Sequence, residues 1–141
     1  MPVEKYQRIL AIDYGLKRIG LALSDPLLTF SYPFKTILND QKLWQELESI
    51  VKEKEVTKIL LGYPLKEDGS YSHITEDVLK FKIKLEKKFK LEVELRDERY
   101  TSQMAKQLII KTVPKKSKRR EKGILDRNSA AIILQEYLDE L

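Results

Sequence analysis

Apolar residues follow one period in the first part of the chain and another further on. Residues 8–14 carry the run Ile9-Leu10-Ala11-Ile12, closed by Asp13, Tyr14 and Gly15. A short unbroken run of this kind suits a central strand covered on both faces. A second run, 19–24, follows after only Gly15-Leu16-Lys17-Arg18, a connection short enough to fold the two into an antiparallel hairpin. Residues 32–37 make a third strand. The period then lengthens: Leu43, Leu47, Ile50 and Val51 recur at helical spacing, with Glu46, Glu48, Lys52 and Glu53 outside and Asn39 or Asp40 as the cap. Lys58-Ile59-Leu60-Leu61-Gly62 is a buried strand, ended by Gly62-Tyr63-Pro64. Ile74, Val78, Phe81, Leu85 and Phe89 mark a second amphipathic helix with lysines on its wet face. Leu91, Val93 and Leu95 alternate with Glu92, Glu94 and Arg96, as in an edge strand with one face in solvent. Two further helices are expected, over 102–111 and 126–138. The order βββαβαβαα, with an antiparallel start and parallel crossovers, predicts an α/β fold with one mixed five-stranded sheet flanked by helices.

Composition narrows the class. The 141 residues, 42% of them hydrophobic, suffice for one domain with a real core. Neither a repeat nor a linker divides 1–141, and only 112–123 reads as a flexible basic loop, being charged, interrupted by Pro114 and without apolar period. Cysteine is absent, which excludes disulfides, thiolate zinc sites and cysteine nucleophiles. No apolar stretch approaches the roughly 20 residues of a membrane span, and the first residues lack a signal-peptide core. A soluble, cytoplasmic protein with no membrane partner is expected. Much of the formal charge of +5 is local: Lys111, Lys115, Lys116, Lys118, Arg119, Arg120 and Lys122 face the single acid Glu121. Such a cluster points to phosphates, although charge runs are also often plain solvated loop.

Three acids stand at element ends. Asp13 closes the first strand, Glu98 follows the edge strand, and Asp126 opens the last helix. A carboxylate at the rim of a core is costly unless it is hydrogen-bonded, paired or bound to a cation. Asp13 lies at the carboxyl end of a central strand, where the crevice of an open sheet forms; pairing with Lys17 or Arg18 across the hairpin is the plain alternative. Asp126 shares its helix face with Ala130, Ile133 and Tyr137 and so leans toward the core, but an ordinary N-cap explains it nearly as well. Glu98 is an even choice between a helix-terminal acid and a ligand.

Taken together, Ile12-Asp13-Tyr14-Gly15 with Arg18-Ile19-Gly20, Gly62-Tyr63-Pro64 with Gly69-Ser70, Asp97-Glu98-Arg99 with Thr101, and Asp126 with Ala130-Ala131 resemble the YqgF family. This is a branch of the RNase H-like superfamily related to RuvC-type junction resolvases. The resemblance spans essentially the whole chain. It implies the RNase H-like fold and a nuclease in which Asp13, Glu98 and Asp126 hold Mg²⁺ or Mn²⁺. It also implies a role in maturing the 5′ end of the small-subunit (16S) rRNA precursor, within a ribosomal precursor particle. An older label of the family is Holliday-junction resolvase. The chain departs from the family at Lys66, Glu67, Tyr71 and His73, in the loop where Asn-Met and small residues are usual.

The chemistry suits the residue types. Mg²⁺ takes oxygen ligands and keeps several waters, and two ions roughly 4 Å apart serve an in-line displacement without a histidine base. Lys17 and Arg18 are placed to hold the scissile strand by its phosphates. Arg99 balances the carboxylates or touches phosphate, and Thr101 caps its helix. Lys115, Lys116, Lys118, Arg119 and Arg120 would grip the nucleic-acid backbone with little sequence preference, and Tyr71 or Tyr100 would stack on unpaired bases. Three rivals stand beside this reading. A DNA junction resolvase would act as a symmetric homodimer, where the processing nuclease can be a monomer or homodimer. A non-catalytic RNA-binding assembly factor would share the fold. An actin-like ATPase would start from Asp13-Tyr14-Gly15 but needs two such domains.

Overall fold

The computed structural model describes residues 7–63, 74–97 and 123–141. Within them the elements are β1 (Arg8–Asp13), β2 (Arg18–Ser24), β3 (Ser31–Leu38), α1 (Leu43–Glu53), β4 (Val56–Tyr63), α2 (Ile74–Phe89), β5 (Glu92–Asp97) and α3 (Ile124–Asp139). The helix expected over 102–111 and the basic stretch from 112 to 122 lie outside the described residues. The strands form one sheet in the order β3-β2-β1-β4-β5. β2 runs antiparallel to β1 and β3, while β1, β4 and β5 run parallel. The mixed five-stranded sheet read from the pattern is therefore present, with β5 at one edge. Pro33 sits in β3, the other edge, where a missing backbone donor costs least.

Strand alternation sorts the apolar residues into two layers. Leu10, Ile12, Leu21, Leu23 and Leu61 face α1 and α2, which contribute Leu47, Ile50, Val78, Phe81 and Leu85. On the other face, Ile9, Ala11, Ala22 and Leu60 meet Ala130, Ala131, Leu134 and Leu138 of α3. Alanines on both sides of this contact let the helix sit close. Fully buried leucines such as Leu47, Leu85 and Leu134 each stabilise the fold by about 1.5–3 kcal/mol. Ala130 and Ile133 are buried and Tyr137 packs against the same layer, as the face shared with Asp126 predicts.

Three local expectations change. α3 begins at Ile124, with Gly123 at the N-cap, so Asp126 stands in the first turn instead of capping it. α1 begins after Lys42 with no side-chain cap bond. Asp40 Oδ1 accepts from the Lys42 amide (2.9 Å) outside the helix, and Asn39 is engaged elsewhere. The polar face of β5 is also not simply solvent-facing: Glu94 and Arg96 are partly covered and bonded to Lys58 and to Glu140, the residue that follows α3. No described helix is long and apolar enough to cross a membrane.

Candidate active site

The parallel strands β1, β4 and β5 end on the same side of the sheet, at Asp13, Tyr63 and Asp97. Asp13 has the parity of Ile9 and Ala11 and so belongs to the α3 face. Its partner in β2 is Gly20, whose own partner in β3 is Thr36. On the other side, the β1–β4 register that pairs Ile12 with Leu61 brings Gly62 level with Asp13, and Gly62 pairs with Arg96. Asp13 thus stands between two positions that lack side chains. Neighbouring strand backbones are only about 4.8 Å apart, so these glycines leave the space beside the carboxylate to other groups.

The first turn of α3 takes the space over Gly20. A Cβ on Gly20 would run into the backbone carbonyl of Asp126, and into the Arg127 amide at 2.6 Å. One position further along the row, Thr36 Oγ1 donates to the Gly123 carbonyl (2.6 Å) and accepts from Arg127 Nη1 (3.3 Å). Gly123 has φ +97°, and a Cβ there would lie 2.7 Å from the Thr36 side chain; glycine alone meets both demands without strain. These two contacts fix where α3 starts. They bring Asp126 against the strand position directly opposite Asp13, so two acids 113 positions apart in sequence share one end of the sheet.

The β1–β2 hairpin supplies the cations. Gly15 permits the tight turn, since a Cβ there would collide with the Arg18 carbonyl. Asn39 ties the turn to the end of β3, donating from Nδ2 to the Gly15 carbonyl and from its amide to the Lys17 carbonyl, both at 2.9 Å. Arg18 Nε reaches Asp126 Oδ2 at 3.1 Å. The ion pair imagined between the hairpin and Asp13 is therefore seen between Arg18 and Asp126. Both side chains keep solvent contact, 38% and 24% exposed, so the pair adds little stability. Lys17 is exposed beside it.

Of the residues singled out in the sequence, the structure brings together Asp13, Asp126 and Arg18, with Lys17 on the adjoining turn. Glu98, Arg99, Lys115, Lys116, Lys118, Arg119 and Arg120 lie outside the described residues. Among the described residues no three acids or histidines form a metal-binding group. The donors present, two carboxylates at the sheet end, suit a hard oxygen-seeking cation such as Mg²⁺ or Mn²⁺. The pattern along the chain did not reveal Thr36, Asn39 or Gly20 as builders of this site. Gly20, a glycine inside a strand-like run, was the one available signal, because such a glycine often marks close backbone approach.

Known proteins resemble this chain over nearly its whole length. Residues 7–140 match the family model RuvX, described as Holliday junction resolvase. A protein of Prosthecochloris aestuarii named "Putative pre-16S rRNA nuclease" is 39% identical over 141 residues, 99% of each chain. One of the same name from Sulfurihydrogenibium sp. is 38% identical over 137 residues, 95% of this chain and 91% of its own. Among solved structures, RuvC of Thermus thermophilus in complex with a Holliday junction substrate superposes with a TM-score of 0.58 at 10% identity, over 95% of this chain and 94% of that one. The fowlpox virus Holliday junction resolvase gives 0.59 at 12% identity, over 95% and 99%. At such identities the superpositions establish the shared fold, the RNase H-like fold that the motifs imply.

Proposed function

Because the chain belongs to the RuvX family, the YqgF family of the motifs above, we propose that it is a metal-dependent nuclease that hydrolyses phosphodiester bonds at the 5′ end of the 16S rRNA precursor. It would act in the cytoplasm on RNA presented within a ribosomal precursor particle. The observation that carries this reading is the docking of the Asp126 turn onto Gly20, directly across from Asp13. Asp13 and Asp126 are the described members of the cation-binding set, and Glu98 is the third.

A divalent cation held by Asp13, Asp126 and Glu98 would supply charge neutralisation at the scissile phosphate and acidify a water. The protein's own part is positioning. Thr36, Gly20 and Gly123 hold the α3 turn so that Asp126 meets the row of Asp13. Asn39 holds the turn that carries Lys17 and Arg18. Arg18, already beside Asp126, is placed to meet a phosphate brought to the two acids, and a guanidinium in that position offers two donors in a fixed plane.

The relatives' names favour ribosomal RNA, and the family description with the RuvC-like fold favours a DNA junction as the second reading. The deciding experiment compares a labelled 16S-precursor fragment with a DNA four-way junction, with Mg²⁺ or Mn²⁺ present or chelated, for wild type and Asp13→Asn. RNA cutting that needs the metal and disappears in the variant is the expected result. Cutting of the junction alone would move the assignment to a resolvase, and binding of RNA without cutting under any metal would leave a non-catalytic assembly factor.

A further inference from the structure

Asp13 and Tyr14 are neighbours in sequence but serve opposite faces of the sheet. Where Asp13 meets the α3 side, Tyr14 packs on Phe81 of α2 with ring centroids 5.0 Å apart. Phe81 continues to Trp44 of α1 at 5.3 Å, and Trp44 to Phe89 at 6.4 Å. A groove runs beside this aromatic file. Near the carboxyl end of the sheet it is a cavity of about 160 Å³ bordered by Tyr14, Asn39 and Lys80. Beyond that, a second cavity of about 390 Å³ is bordered by Trp44, Lys84, Lys87 and Lys88. Trp44 and Lys84 belong to both. The four lysines recur at i, i+4, i+7 and i+8, one stripe of α2 about 12 Å long at the rise of an α-helix.

We infer that this groove between α1 and α2 is a binding path for a single strand of RNA that continues over the sheet end to Asp13 and Asp126. The inference rests on the nuclease reading for where the strand leads. Three observations support the occupant. Lys80, Lys84 and Lys87 are exposed and make no ion pair with another described residue, while Lys88 is paired only with Glu48, at 3.7 Å. Asp77 is the one acid among the described residues bordering the groove, at its upper end. Trp44 is only half-buried, offering indole surface among these cations. A row of ammonium groups beside an accessible aromatic is the combination that tracks a phosphate backbone while a base stacks. A duplex keeps its bases stacked within the helix and cannot present a face to Trp44.

Trp44 is the chain's single tryptophan, so its fluorescence reports on this groove and nothing else. Titrating the full chain in chelator with a single-stranded oligouridylate of about ten nucleotides, a length within the usual site size of such grooves, is expected to quench it. The logarithm of the affinity should fall with the logarithm of salt at about −0.7 for each phosphate contacted. Replacing Lys84 and Lys87 by glutamate should weaken binding by about tenfold or more and flatten that slope. Lys82→Gln, on another face of α2 where Lys82 pairs with Glu86, should leave the titration unchanged. Unchanged fluorescence in a protein that cuts RNA would overturn the groove and spare the nuclease. Equal quenching by duplex RNA, or quenching indifferent to the Lys84 and Lys87 changes, would overturn it as well. Chelation separates binding from hydrolysis, so quenching in chelator with no cutting once Mg²⁺ or Mn²⁺ is restored would count against the nuclease reading alone.

Discussion

The two ends of α3 dock on the same sheet by opposite means. At the N-terminal end the contacts are close approaches at glycines: Gly20 under the Asp126 backbone, and Gly123 against the Thr36 side chain, which also bonds its carbonyl. One partly exposed ion pair, Arg18–Asp126, lies beside them. At the C-terminal end the contacts are charged side chains. Lys58 of β4, with its side chain only 18% exposed, donates to Tyr137 Oη at 2.9 Å and Glu94 Oε1 at 3.2 Å, and lies 4.7 Å from the Tyr137 ring centroid. Arg96 Nη2 donates to Glu140 Oε1 at 2.6 Å. Burial pushes the Lys58 ammonium down, but the bonds to Tyr137 and Glu94 outweigh it, and its pKa lies above the ordinary 10.5. The charges at that end satisfy one another. At the N-terminal end the Arg18–Asp126 pair stays partly open to solvent on both sides, where a substrate can reach it. Close glycine contacts with a hydroxyl bond hold the functional end, and a network of charged bonds holds the other, so the two should separate under mutation.

The largest effect is expected at Gly20. Gly20→Ala sets a methyl into the Asp126 backbone, and overpacking of this kind costs about 1–3 kcal/mol, toward the upper limit here because the obstacle is main chain. Urea unfolding should show that loss. Any relief must lift the α3 turn away from Asp13, so cleavage measured well below the unfolding transition should fall with it. A stable, fully active Gly20→Ala protein would dissolve the link between the docking of α3 and the site.

Next comes the other end. Lys58→Met keeps the length of the side chain but strands Tyr137 Oη and part of Glu94, a loss of about 1–2 kcal/mol. Here cleavage below the transition should stay within about twofold of wild type, since a change at the far end of α3 leaves transition-state contacts intact. A double-mutant cycle with Tyr137→Phe should return a coupling of at least about 0.5 kcal/mol. Additive losses would mean that the clamp is not one network.

Arg18→Gln inverts the pattern. The Arg18–Asp126 pair is too exposed to contribute more than about 1 kcal/mol, so unfolding should barely move, whereas cleavage should drop by tenfold or more. Arg18→Lys, with charge but no planar fork, should recover only part of it. A loss of stability matching the loss of rate would make Arg18 a structural residue.

How much of this could be seen along the chain differs between the same two ends. Asp13 stood out because an acid closing an apolar run has few cheap explanations, and the element order and antiparallel start followed from run lengths and the short hairpin turn. Asp126 stood out as an acid beside an apolar helix, but its place in the first turn did not. Gly123 looked like the tail of a basic loop, and only its contact with Thr36 shows where the helix starts. Arg18 had two acids within plausible reach, and a choice between a neighbour in sequence and one 108 positions away depends on packing. The C-terminal clamp was not visible along the chain: Lys58 read as the first residue of a buried strand and Glu94 as the solvent face of an edge strand until β4, β5 and α3 are brought together. Close backbone approach and charge networks both arise between elements, whereas hydrophobic period describes each element alone.

The smallest effect sharpens the comparison through pH. The hydrogen bond from Arg96 holds Glu140 below its ordinary 4.5, against a weaker opposing push from desolvation. A depressed acid stabilises the fold above its unfolded pKa and loses that contribution as pH falls through the folded value. The last turn of α3 should therefore loosen below about pH 4.5 while its first turn, fixed by the Gly20 and Gly123 contacts and gaining little from the partly exposed Arg18–Asp126 pair, keeps its protection. Glu140 is largely solvent-exposed, so the change will be local instead of global. Amide hydrogen exchange resolved along α3 between pH 6 and pH 3 measures it: faster exchange confined to the C-terminal turn, and absent in Glu140→Gln, is the expected outcome. Uniform loosening of both turns would show that the two ends of the helix are held by one cooperative unit, against the division argued from their contacts.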